Sequence, residues 1–162
     1  MSRTKRARFV LCASIALVSL AVAAGGANAA PPLVGSGTFT YQSSTFDGIR
    51  QAGGNTIIEL SATVLYTGTF AGTSTLSGTL TLHPDGTANF HDVETFTGTV
   101  NGVPGTVTFN LAGTGPAGLF KGTDVIVSGT GGLANLRGVL SEVGTVPAAL
   151  PGPLGTYTGH IH

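Results

Sequence analysis

Charge, cysteine and tryptophan are what this chain has least of. Tryptophan is absent, cysteine and methionine occur once each, and only 9% of the 162 residues are charged. A lone Cys12 forms no intrachain disulfide and builds no cysteine metal site. Basic residues are scarcer still beyond the first eight positions: only Arg50, Lys121 and Arg137 remain, which excludes the basic stripe that tracks a phosphate backbone. Nor is there an apolar run of the roughly 20 residues that a spanning helix requires.

The other four basic residues, Arg3, Lys5, Arg6 and Arg8, crowd the amino terminus and precede an apolar stretch from Phe9 to Ala24. Ala27-Asn28-Ala29 then supplies the small-x-small pattern of a signal peptidase site. Residues 1–29 therefore read as a secretory signal peptide cleaved near Ala29, and residues 30–162 as one domain, secreted or held in the periplasm or cell envelope. Cys12 stands at the start of the apolar run instead of after it, which argues against a lipoprotein. Cleavage would leave three cations against seven acids, a net charge of −4, no cysteine and no membrane span.

What the mature chain does have is glycine, threonine and alternation. Gly37, Phe39 and Tyr41 share one parity, as do Ile58, Leu60, Ala62, Val64, Tyr66 and Phe70, with Ser and Thr dominating the other. This is the period of half-buried strands and not of helices. Turn signals fix the registers. His83-Pro84-Asp85-Gly86-Thr87 reads as a three-residue hairpin with a bulge, pairing Leu82 with Ala88; Asn101-Gly102 reads as a type I′ turn pairing Val100 with Val103. Ser43 to Gly54 and Gly113 to Gly118 read as loops, Ala71-Gly72 as a turn, and the prolines 147, 151 and 153 as a connection before a last strand, Thr156 to His162. About eight short strands in meander order predict an all-β fold, an eight-stranded antiparallel barrel in preference to a two-sheet sandwich.

Asp92 and Glu94 break the pattern, since they fall on the apolar parity. Pointing inward, either carboxyl would have a raised pKa suited to a general acid or base; a bulge at residues 91–93 would instead turn Asp92 out and leave Glu94 paired with Arg137 or a hydroxyl. Arg137 either clamps an anionic ligand group or binds carbonyls of its own turn. Gly129, Gly131 and Gly132 lead into a turn, Leu133 to Leu136, and not into a helix, so a phosphate loop is excluded. His160 and His162 share a strand face, but the register places no third ligand beside them, so no metal is expected. His83 is expected to be exposed.

Several segments together resemble a known family. Gly37-Thr-Phe, Tyr66-Thr-Gly-Thr-Phe, Pro84-Asp-Gly-Thr-Ala-Asn-Phe, Glu94-Thr-Phe-Thr-Gly-Thr-Val and Gly129-Thr-Gly-Gly-Leu-Ala-Asn-Leu-Arg-Gly138 stand in the order found in the bacterial domain-of-unknown-function family 3224. The resemblance implies a barrel similar to that of allene oxide cyclase and, more distantly, those of the dirigent proteins; relatives in that fold are often trimeric, so a homo-oligomer, trimer or dimer, is expected. It implies no activity and no cofactor. The Glu-x-Phe-Thr-Gly match makes Glu94 the stronger of the two acids. The resulting expectation is a barrel that binds a small apolar ligand through Tyr41, Tyr66, Phe96 and Tyr157, or a non-catalytic oligomeric module. The alternatives are a cyclase- or isomerase-like enzyme with Glu94 as acid/base and Arg137 as its partner, and a structural protein of the envelope. An open lumen lined by Glu94 and Arg137 would favour binding or catalysis, whereas one filled by Phe and Leu would exclude both.

Overall fold

Period-two alternation extends through nearly all of the chain that the computed structural model describes, residues 31–116, 118–145 and 151–162, with side chains for all but 152–154. The signal peptide reading, and most of the proline-rich connection, lie outside the described residues. Eight antiparallel strands follow in order: β1 (Leu33–Ala52), β2 (Asn55–Gly68), β3 (Phe70–Leu82), β4 (Thr87–Val100), β5 (Val103–Pro116), β6 (Leu119–Gly131), β7 (Gly138–Thr145) and β8 (Gly152–Ile161). Each pairs with the next, and β1 pairs with β8, so the sheet closes into a barrel. No helix among the described residues is long and apolar enough to cross a membrane.

The two turns legible in the sequence have the expected registers, Leu82 opposite Ala88 and Val100 opposite Val103. Asn101 and Gly102 both take positive φ, 50° and 81°, as a type I′ turn requires. Three expectations fail. Residues 43–52 are not a loop but the continuation of β1, carried past two bulges, between Tyr41 and Ser43 and between Phe46 and Gly48. Serine, glycine and aspartate disguise this strand, yet its pairing with β2 is nearly unbroken. Residues 113–116 likewise extend β5. The turn placed at Ala71-Gly72 lies at Gly68-Thr69, because Gly68 adopts φ +100° within 2.5 Å of the Ser36 carbonyl oxygen, measured from where a Cβ would stand.

The two ends of the barrel differ. At one end Phe70, Phe96, Phe109 and Tyr157 pack edge to face or tilted, with ring centroids 5.4–5.7 Å apart, and Leu133 and Ile161 complete the plug. Leu133 belongs to the Gly129–Gly138 segment, which forms the corner between β6 and β7 as its glycines indicate. Tyr157 fastens this end: its hydroxyl accepts from Phe70 N at 2.9 Å and donates to Thr67 O at 2.9 Å, bridging β8 to the β2–β3 turn. Tyr157→Phe is expected to cost about 1–3 kcal/mol, read as a lower urea midpoint at unchanged m-value; an unaltered midpoint would refute this fastening role.

At the other end β1 outruns β8, whose register with it stops at Tyr41 opposite Gly152. The β1–β2 hairpin therefore projects beyond the closed ring, and its inner-face residues Phe46 and Ile49 are 63% and 62% exposed. We call this end the mouth. Ala62, Leu76 and Leu111 form a smaller core just inside it, covered by Tyr41, Leu60 and Phe90.

Inner-face glycines give the larger side chains their room. Phe39 lies directly across from Gly155, Phe90 from Gly113, Phe120 from Gly144, Tyr157 from Gly37, Asp92 from Gly78 and Glu142 from Gly122. A Cβ on Gly155 would sit 1.9 Å from Phe39 Cζ. Small opposite large is how a narrow barrel fills its taper.

Candidate functional site: a buried carboxyl cluster

Alternation places four acids on the inner face: Asp92 and Glu94 on β4, Asp124 on β6 and Glu142 on β7. β4 runs without a bulge against both neighbours, so nothing turns Asp92 outward; the bulge expected at residues 91–93 is absent, and Asp92 is buried. Asp92 and Asp124 flank Leu111 across β4, β5 and β6. Glu94 and Glu142 approach each other across the lumen, on either side of Tyr66.

Their hydrogen bonds are few. Ser74 Oγ donates to Glu94 Oε1. Tyr66 Oη lies 3.2 Å from both Glu94 Oε2 and Glu142 Oε1. A phenol has one proton, so it donates to one carboxyl, and the other contact is a hydrogen bond only where that carboxyl is protonated and donates in return. Asp92 Oδ1 and Asp124 Oδ1 are buried with no partner.

Among the described residues no cation relieves this concentration of acids, Arg50, Lys121 and Arg137 all being exposed. Burial raises Glu94 to about 8 and Asp92 to about 7, Asp124's charge adding to the rise of each, and burial raises Asp124 to about 6. Glu142 is pushed well above the carboxylate range, by burial first and then by Asp124 and Glu94. Burial and the same acids push the Tyr66 and Tyr41 phenols up as well. At neutral pH the cluster therefore holds protons, and its members serve as hydrogen-bond donors as well as acceptors.

Arg137 does not join the cluster. It is exposed, and its Nη1 donates to Leu136 O at 2.6 Å and Ala134 O at 3.4 Å, within its own turn. Its place immediately before Gly138, at the plugged end, keeps it from Glu94. Phe96 and Tyr157 also belong to the plug, fully packed. Of the sequence-derived candidates the structure brings together Asp92, Glu94, Tyr66 and Tyr41; the neighbours that sequence reasoning missed are Asp124, Glu142 and Ser74. Parity was the available signal, since Asp124 stands in step with Phe120 and Ile126, and Glu142 with Leu140.

The remaining candidates are peripheral. His160 and His162 are exposed, and among the described residues no three His, Cys, Asp or Glu side chains are grouped to hold a metal ion. His83 is part-buried instead of free: Nδ1 lies 3.0 Å from Asn55 Oδ1 and Nε2 2.6 Å from Asn89 Oδ1, tying the tips of two hairpins together. On the outer face of β1–β4 a groove of about 430 Å³ is lined mainly by Ser and Thr hydroxyls, including Ser43, Thr63 and Thr95. It contains no acid or base.

Around Glu94 the lumen is occupied by aromatic side chains. Tyr66 packs against Phe39, Phe96 and Tyr157 with centroids 5.6–5.9 Å apart, and Glu94 is 1% exposed. A substrate from solvent does not reach its carboxyl in this arrangement, and an open lumen lined by both Glu94 and Arg137, the expected condition for lumenal binding or catalysis, is not met there; exposed apolar inner-face side chains stand instead at the mouth, in Phe46 and Ile49. Asp92, at 6%, is the member of the cluster with most solvent contact.

No curated protein matches the chain. Among solved structures, a protein of unknown function from the DUF3224 family of Shewanella oneidensis MR-1 shares the fold, with TM-score 0.61 at 16% identity, over 82% of this chain and 98% of that one. The family described as protein of unknown function (DUF3224) matches residues 35–144, more than half the chain and all four lumen acids, and this protein belongs to it.

Proposed function

We propose that the barrel binds a small, largely apolar molecule at its mouth and performs no chemistry on it. The observation that carries this reading is the pairing of two exposed apolar side chains, Phe46 and Ile49, on the inner face of the projecting hairpin, with a buried, unpartnered Asp92 oxygen beneath. Large apolar groups left in water on a concave face favour occupation, and one polar group at the base orients the occupant. Tyr41, between the two cores, lines the passage. The tyrosine and phenylalanine of the plug serve stability. The N-terminal segment supports export, so the ligand would be met outside the cytoplasm.

Binding of a solvatochromic naphthalene probe tests this. With no tryptophan in the chain, probe emission is read free of protein background at long wavelength. Phe46→Ser/Ile49→Ser is expected to reduce probe affinity at least tenfold while leaving thermal stability near that of the parent, both side chains being exposed. Equal affinity in the two proteins would overturn the reading. A second reading, an oligomeric module, is favoured by the outer-face valines 125, 127, 139 and 143, each 42–49% exposed on neighbouring strands; sedimentation velocity separates it, because its assembly would survive the Phe46/Ile49 change.

A further inference from the structure

We infer that the free edge of β1, residues 43–52, pairs antiparallel with the same edge of a second copy of this chain, with the two-fold axis at the bulge between Phe46 and Gly48. β1 has β2 beside it as far as Ala52, but β8 accompanies its other side only to Tyr41. Among the described residues no other strand pairs with that side, and from Gln42 to Ala52 every residue except Gly48 is exposed. Such an edge presents a row of backbone N–H and C=O groups, the template on which strands add.

The pattern of faces selects both occupant and register. Phe46 and Ile49 are three residues apart, yet both lie inward, opposite Leu60 and Ile58, because the bulge adds a residue between them. Asp47 lies outward, its Oδ2 accepting from Ser61 Oγ at 2.6 Å, and Gly48 faces outward opposite Glu59. Residues directly opposed in an antiparallel ladder share a face. About this bulge the order of inward and outward residues is the same read in either direction, so the segment is complementary to itself, as a two-fold interface requires. Phe46 then meets the partner's Ile49, and Thr45 the partner's Arg50. No other centre keeps the faces matched over the whole of residues 43–52.

Charge agrees with this register. Arg50 and Asp47 are both exposed, and each Arg50 stands diagonally across from the partner's Asp47, within reach of a long side chain. The two-fold axis makes that pair twice. Edges that avoid pairing carry charges that repel; these attract. On the inner face, Phe46 and Ile49 of both copies form one apolar cluster, from side chains that are 63% and 62% exposed in the single chain. The partner thereby adds its own Phe46 and Ile49 to the wall of the mouth. The dimer goes beyond the mouth reading and stands without it, since edge, faces and charges suffice.

Sedimentation velocity of the protein between about 1 and 200 μM, the range in which interfaces of modest size associate, measures the assembly. The expected result is a monomer that passes to a dimer as concentration rises, with amide exchange at residues 43–52 slowed in the dimer alone. Arg50→Glu sets like charges together at both diagonal pairs and is expected to weaken the dimer at least about tenfold. Asp47→Lys/Arg50→Glu restores attraction and is expected to recover it to within about threefold of the parent. A monomer throughout, a dimer indifferent to Arg50→Glu such as one built on the outer-face valines, or a double reversal that recovers nothing overturns the inference. Arg50→Glu retains Phe46 and Ile49, so the naphthalene probe added to its monomer reads the mouth alone. Probe binding by a protein that never dimerises overturns the dimer and leaves the mouth reading; dimerisation as described with no probe binding does the reverse.

Discussion

Between about pH 5 and pH 9 the melting temperature is expected to fall by roughly 10 °C or more, the reverse of the usual loss of stability in acid. The cause is the carboxyl cluster. Asp92, Glu94 and Asp124 have folded-state pKa values raised to about 7, about 8 and about 6, whereas in the unfolded chain they titrate near 4. Between those values the folded form holds protons that the unfolded form has lost, so each rise in pH favours unfolding. Stability is greatest below about pH 4 for these groups and declines until the folded-state values are passed. Each tenfold difference in proton affinity between the two states is worth about 1.4 kcal/mol, so Glu94 alone contributes a few kcal/mol. Asp85, lowered by Thr87's hydroxyl and backbone amide, opposes this only at acid pH and is fully exposed. Glu94→Gln, neutral at every pH, is expected to melt above the parent at pH 8.5 and close to it at pH 4. A melting temperature that rises with pH, or a Glu94→Gln protein less stable than the parent at pH 8.5, would show that the acids are not buried together as described.

The second large effect concerns a glycine. Gly155→Ala is expected to destabilise the barrel by about 3 kcal/mol, the upper range for overpacking a core, although alanine is ordinarily the better strand residue. The three contacts nearest to an added Cβ are all Phe39 ring atoms, at 1.9, 2.4 and 2.6 Å. Shortening the ring should therefore restore what the methyl group takes away. Phe39→Leu alone loses buried apolar surface, but Gly155→Ala/Phe39→Leu is expected to be more stable than the two single effects predict when added, by at least about 1 kcal/mol in a double-mutant cycle. Additivity would mean that the backbone, and not Phe39, resists the substitution.

Much of this barrel was legible because its turns carry their own chemistry. Asn101-Gly102 and Pro84-Asp85-Gly86 set registers, and the strands between them follow by parity. The far half of β1 was not legible, because Ser43, Ser44, Asp47 and Gly48 give it the composition of a loop, and only the partner strand β2, two bulges away, holds it extended. The site was legible in part for a related reason. Parity marked Asp92 and Glu94 because their strand is otherwise apolar, but the meeting with Asp124 and Glu142 arises from ring closure, which no local pattern encodes. Arg137 attracted attention as the lone cation beside a glycine-rich turn; its sequence position says nothing of the direction its side chain takes, and the carbonyls of its own turn are the nearer partners.

Tyr157 has a consequence for how the chain reaches this state. Seven of the eight strand pairings join consecutive strands, while the eighth, β1 with β8, waits for residues more than a hundred positions later in the chain. The same late strand supplies the hydroxyl that fastens the β2–β3 turn and the wall against which Glu142 is enclosed. Formation of the acid cluster is therefore tied to the longest loop closure in the molecule. Until the final ten or so residues are in place the carboxyls remain open to water and charged, so the ring must close and the protons must bind in a single cooperative event.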